Sequence, residues 1–131
     1  MWVAFSGRTP YINSKFSIPN FQFASKMAVK KQFNNFQDLI AESEKPVLVD
    51  FYATWCGPCH MMAKILEQVN AQMGDRLQIV KIDTDKYNQL ASQYKIEALP
   101  TLVLFQNGQP VDKIEGVLRA EQLMGRLQAL I

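Results

Sequence analysis

The chain has 131 residues, of which 48% are hydrophobic and 20% charged, and its net charge is +2. That length suits one domain with a substantial core. The charge is too small to argue for nucleic acid or an acidic membrane surface as a partner, and no apolar run approaches the roughly 18–20 residues of a spanning helix.

The basic character lies at the front. Residues 1–26 carry Arg8, Lys15 and Lys26 and no acid, a charge of +3 that leaves −1 for the remainder. They also hold six aromatic side chains and show neither a helical nor a strand period. The apolar stretch of about 7–15 residues that a secretory signal needs is missing. This extension is expected to be a transit-like leader, a disordered segment or the result of an overlong start assignment. The last is preferred, because Met27 opens a 27–131 stretch that reads as a full domain.

From there the pattern alternates. Val29 to Phe33 is a candidate strand, and Asn35 can cap a helix running to about Glu42. Val47 to Ala53 is an almost wholly apolar run, as a strand buried on both faces requires. After Cys56, the residues Met62, Ile65, Leu66 and Val69 form a helical stripe ended by Gly74. Leu77 to Ile82 is the next strand, and Tyr87 to Tyr94 a helix with Leu90 and Ala91 inward. Thr101 to Phe105 and Val111 to Glu115 flank Asn107-Gly108, a hairpin signal. The last helix starts near Ala120, with Leu123, Leu127 and Leu130 expected on one face. The order β-α-β-α-β-α-β-β-α predicts an α/β fold, with a mixed central sheet covered by helices on both faces.

The two cysteines, Cys56 and Cys59, stand three residues apart. A disulfide-stapled secreted domain would carry more cysteines, spread along the chain, so the pair points to redox chemistry in a reducing compartment. Cys56 follows a buried strand and opens a helix, where free N–H groups and the helix dipole favour a thiolate. Cys59, one turn on, can close a small ring with it and is expected to be the more buried sulfur. The Cys56 thiolate would attack a target disulfide, and Cys59 would resolve the mixed disulfide. Gly57 leaves room for a target backbone, and Pro58 is tolerated in a first helical turn. Zinc is excluded by count: two cysteines and His60 make three ligands where a structural site wants four. His60 reads as a solvated imidazole, and Met61-Met62 as one surface and one core residue. No cofactor-binding motif is present, so electrons are expected from a separate reductase.

The sequence Trp55-Cys56-Gly57-Pro58-Cys59, together with Val49 to Ala53, Ala98-Leu99-Pro100-Thr101 and Gly116, closely resembles the thioredoxin family over about residues 28–131. The stretches Asp50 to Trp55, Val80 to Thr84 and Lys95 to Thr101 most resemble the y-type thioredoxins of plastids and their cyanobacterial relatives. The resemblance implies a thioredoxin fold and a protein-disulfide reductase. It implies that Asp50, in an apolar run that should raise its pKa, takes the proton of Cys59, with Lys81 as its neighbour. It implies a cis bond at Pro100 that turns the backbone around Leu99 toward the cysteines. Trp55, Gly57, Pro58, Leu99 and Val117 are then expected to form an apolar docking surface. Lys64 departs from the family, many members of which carry a helix-kinking proline at that position.

The resemblance further implies a ferredoxin- or NADPH-dependent thioredoxin reductase as donor. Implied targets are peroxiredoxins and methionine sulfoxide reductases. The implied setting is the cytoplasm of a cyanobacterium-like organism, or the chloroplast stroma if residues 1–26 are a transit peptide. A monomer is expected. The alternatives are a disulfide oxidase or isomerase, whose members commonly place a histidine between the cysteines, and a thioredoxin-fold binding module.

Overall fold

The computed structural model describes residues 36–131. The extension, the candidate strand Val29–Phe33 and the cap at Asn35 lie outside the described residues. The elements in chain order are α1 (Phe36–Glu42), β1 (Val47–Tyr52), α2 (Gly57–Met73), β2 (Gln78–Asp83), α3 (Asn88–Gln93), β3 (Thr101–Gln106), β4 (Gln109–Glu115) and α4 (Ala120–Leu130).

The strands form one mixed sheet in the order β2-β1-β3-β4. The β1–β2 pair is parallel, while β1–β3 and β3–β4 are antiparallel. β1 is therefore interior, which explains its unbroken apolar run: Val47 to Phe51 are all buried. Alternate residues of each strand serve opposite faces. Leu48, Ile79, Leu102, Leu104 and Ile114 meet Met62, Leu66, Val69 and Met73 of α2 and Leu123 and Leu127 of α4. On the other face, Val47, Val49, Phe51, Val80, Ile82, Val103 and Phe105 meet Phe36, Leu39 and Ile40 of α1, with Leu90 and Tyr94 from the α3 region. This second core is aromatic, with Phe36, Phe105 and Tyr94 in edge-to-face contact.

Helix α2 buries Cys59, Met62, Leu66, Val69 and Met73, a stripe at three- and four-residue spacing. Ile65 lies at its shoulder, half-buried. The helix is continuous past Lys64. Gly74 follows it without a left-handed turn: its φ is −63°, its N–H donates to the Asn70 carbonyl, and an added Cβ would stand 2.6 Å from that oxygen. Asn107 (φ 54°) and Gly108 (φ 80°) are both left-handed, as a two-residue hairpin loop of the I′ type requires. A register shift between Leu104 and Phe105 accommodates Pro110 on β4, which lies at the end of the strand order. Arg126 of α4 grips Asp112 of β4 through two hydrogen bonds of 2.8 Å.

One expectation needs correcting. Leu130 does not share the buried face of Leu123 and Leu127: it is 40% exposed, and Met124 and Ile131 pack beside that core instead. Leu130 is the last residue of α4, and Ile131 directly after it takes the place beside the core.

Candidate active site

The site lies where β1 hands over to α2. Cys56 is the N-cap of α2, in extended conformation (φ −93°, ψ 114°), and its Sγ accepts the Cys59 backbone N–H at 3.2 Å. A sulfur thus takes one of the donors that a helix start leaves free. Cys56 and Cys59 are joined as a disulfide. Both are buried almost equally, 5% and 4% exposed, so at the level of whole residues the expected difference in burial is absent while each covers the other. Gly57 and Pro58 occupy the first helical turn, exposed, and a Cβ at Gly57 would meet nothing within 4 Å. The space a target backbone needs is open there.

Asp50 is fully buried in the middle of β1, the strand that leads into the cysteine turn, and among the described residues neither carboxyl oxygen has a hydrogen-bond partner. Loss of solvent pushes its pKa up to about 7, and the positive charge of Lys81 pulls it part of the way back. Lys81 is the register partner of Asp50 on β2, so the two side chains stand on one face of the sheet. Its Nζ also lies 5.0 Å from the centre of the Tyr52 ring. Tyr52 packs against Ala53, Cys56 and Cys59. Sequence reading did not single it out. The signal was its place two residues after Asp50, on the same face.

An open groove passes the cysteines. Trp55, Cys56, Gly57 and Pro58 form one side, and Ile96, Glu97, Ala98 and Leu99 the other, with Thr84 between. Trp55 is 71% exposed and is held in place by its indole N–H, which donates to Asp85 Oδ2 at 3.0 Å. The Leu99–Pro100 peptide is cis, Leu99 packs against the cysteine pair, and Pro100 is buried. Val117 is not among the groove residues; it is half-buried against the α2/α4 core, next to Gly116, whose N–H donates to the Pro100 carbonyl at 2.9 Å. His60 is exposed with Nε2 3.1 Å from the Thr54 carbonyl oxygen. Met61 is exposed and Met62 buried. Thr84, Asp85 and Glu97 escaped sequence reading, because a polar residue in a loop looks solvated until the topology brings that loop to the cysteines. Among the described residues no cluster of three or more potential metal ligands occurs.

The thioredoxin family model matches residues 27–129. A thioredoxin-like protein of Synechocystis sp. is 63% identical over 105 residues, covering 80% of this chain and 100% of that protein. The chloroplastic thioredoxin Y of Oryza sativa is 52% identical over 104 residues, covering 79% of this chain and 62% of that longer protein. Among solved structures, the oxidised mitochondrial thioredoxin 3 of Saccharomyces cerevisiae superposes with a TM-score of 0.68 at 34% identity, over 75% of this chain and 90% of that one. The disulfide at the head of α2, the buried acid of β1 and the cis-proline before β3 therefore sit in a framework matched by sequence and by shape, and the chain belongs to the thioredoxin family of thiol–disulfide oxidoreductases.

Proposed function

We propose that the chain is a general protein-disulfide reductase in which Cys56 is the nucleophile, Cys59 the resolving thiol and Asp50 the proton acceptor. The observation that carries this is the Cys56–Cys59 pair at the start of α2, reached from a strand, β1, that holds a buried carboxyl with no hydrogen-bond partner among the described residues. In the dithiol form, Cys56 Sγ stands at a helix N-terminus, which favours negative charge on it. It attacks the target disulfide and releases one target thiolate. Cys59 then gives its proton to Asp50, attacks Cys56 and releases the second target sulfur as a thiolate, and both target thiolates take up protons from solvent or from Asp50. Two electrons pass to the target, and the chain is left as its disulfide.

Gly57 and Pro58 tune the pair by shaping the turn between the sulfurs, and Lys81 does so through Asp50. Trp55, Leu99 and Pro100 hold the target, with Val117 as a flanking contact reached through the bond from Gly116 to Pro100. Gly57-Pro58 between the cysteines, in place of a histidine-bearing pair, favours reduction over the oxidase or isomerase reading.

Thioredoxins receive electrons from thioredoxin reductases or ferredoxin–thioredoxin reductases and act on disulfide-bearing proteins. The donor here is taken to be one of these two, and the targets to include peroxiredoxins and methionine sulfoxide reductases. Cyanobacterial and chloroplast relatives support a cyanobacterial cytoplasm or a chloroplast stroma as the setting. The domain is taken as residues 27–131, a reading that the family match over 27–129 supports.

The test is insulin reduction with dithiothreitol as donor. The parent chain is expected to accelerate it, Cys56→Ser to abolish the acceleration, and Cys59→Ser to accumulate mixed disulfides with targets. Full activity in Cys56→Ser would reject the assignment.

A further inference from the structure

The groove beside the cysteines is uncharged except at one point among the described residues. Trp55, Pro58, Ile96, Ala98 and Leu99 give it its surface, and among the described residues Glu97 is the one charged side chain that lines it. Glu97 is exposed, two residues before Leu99. The next charge recorded at the groove is also negative: Asp85 Oδ2, at 3.0 Å from the Trp55 indole nitrogen. No lysine, arginine or histidine is found among the lining residues described. A target entering this groove therefore passes one negative charge on a wall whose other lining residues are uncharged.

We propose that Glu97 is a specificity-determining residue, selecting target disulfides that carry a lysine or arginine within one or two residues of the attacked cysteine. The inference rests on the groove being the seat of the target. An extended segment advances about 3.3 Å per residue. A target cysteine placed at Cys56, with its backbone beside Leu99, thus brings its near neighbours to Glu97. Opposite charges a few ångströms apart at a protein surface attract, and like charges repel, with a strength that salt reduces. The apolar walls contribute to binding of any target without telling one from another. The charge supplies the difference.

Three peptides, each closed by one internal disulfide and identical except for Lys, Gln or Glu beside the first cysteine, make the probe. The chain is pre-reduced, so each turnover moves two electrons and two protons from Cys56 and Cys59 to the peptide disulfide. The chain ends as the disulfide and the peptide as the dithiol. The second-order rate constant is measured at low and at high ionic strength.

The Lys peptide is expected to react roughly tenfold faster than the Glu peptide at low salt, with the ratio falling toward one at about 1 M salt. Glu97→Gln should shrink the ratio at low salt, and Glu97→Lys should invert it. A ratio near one in the parent, or one that Glu97→Lys leaves unchanged, overturns the proposal. So does a preference that survives Glu97→Gln and disappears in Asp85→Asn, which would move the selection to the other carboxylate. If the parent fails to reduce even the Gln peptide, the groove is not the target's seat and the proposed function itself falls.

Discussion

Asp50 carries a carboxyl that burial has stripped of solvent, and its chemistry and its effect on stability come from the same fact. Unfolded, the group titrates near 3.8, and folded at about 7. Between those values the folded chain holds a proton that the unfolded chain gives up. The stability this contributes is whole below the unfolded pKa and is lost as pH rises through the folded one. At about 1.4 kcal/mol per pKa unit, the loss is a few kcal/mol. Asparagine has no such proton to lose. Asp50→Asn is therefore expected to raise the urea midpoint of the disulfide form by a large margin at about pH 9 and by little at about pH 4. If Asp50 is the acceptor proposed for Cys59, the same variant should resolve mixed disulfides more slowly and with an altered pH profile. Rates matching the parent across the pH range would leave Asp50 a structural residue only. The burial of Asp50 was legible in the sequence because three apolar residues flank it on each side. The place of Glu97 was not, because a charge in a loop declares nothing until the sheet is assembled and its loop lies opposite Trp55 and Cys56.

Among the elements, those between two layers were read most faithfully. β1 shows an unbroken apolar run because it pairs on both edges and is covered on both faces. α2 shows a clear stripe because one side of it meets the sheet. The hairpin was legible in two residues, since Asn107 and Gly108 tolerate the left-handed backbone the turn demands. α4 was read correctly up to its last turn, and there periodicity misled: Leu130 continues the spacing, but the helix ends there and Ile131 packs on the core in its stead. The contrast is measurable. Leu127→Ala empties a fully buried position and is expected to cost about 2–5 kcal/mol. Leu130→Ala, at a position 40% exposed, should change stability by no more than about 0.5 kcal/mol. Chemical denaturation of the two variants side by side checks the assignment, and equal losses would restore the face expected from spacing.

At the scale of the whole molecule, two large cores of the described residues share β1. One is aliphatic and methionine-rich under α2 and α4; the other is aromatic under α1 and α3. Each of β1, β2 and β3 contributes side chains to both, so they are expected to melt together in one transition. The extension bears on this only if it covers part of the domain. Its composition breaks at Met27, and the family match begins at residue 27. Deletion of residues 1–26 is thus expected to leave the melting temperature within a few degrees and insulin reduction nearly unchanged, as calorimetry and the turbidity assay would record. A fall of many degrees would place the segment against the folded domain.

The Cys56 sulfur, proposed as the nucleophile, also caps the longest of the described helices, and this joins two quantities usually measured apart. Reducing the disulfide changes the acceptor at the start of α2, so the dithiol and disulfide forms differ in folding free energy. Folding and reduction then make the four sides of a thermodynamic cycle. The gap in unfolding free energy between the two forms must equal the gap between the redox equilibrium of the native pair and that of the same four-residue ring in the denatured chain. Two unfolding curves, one for each redox form, together with the equilibrium of the denatured ring, therefore fix how strong an electron donor the folded molecule is. A mutation that weakens the start of α2 unequally in the two forms must shift that donor strength by the corresponding amount, even where it touches neither sulfur.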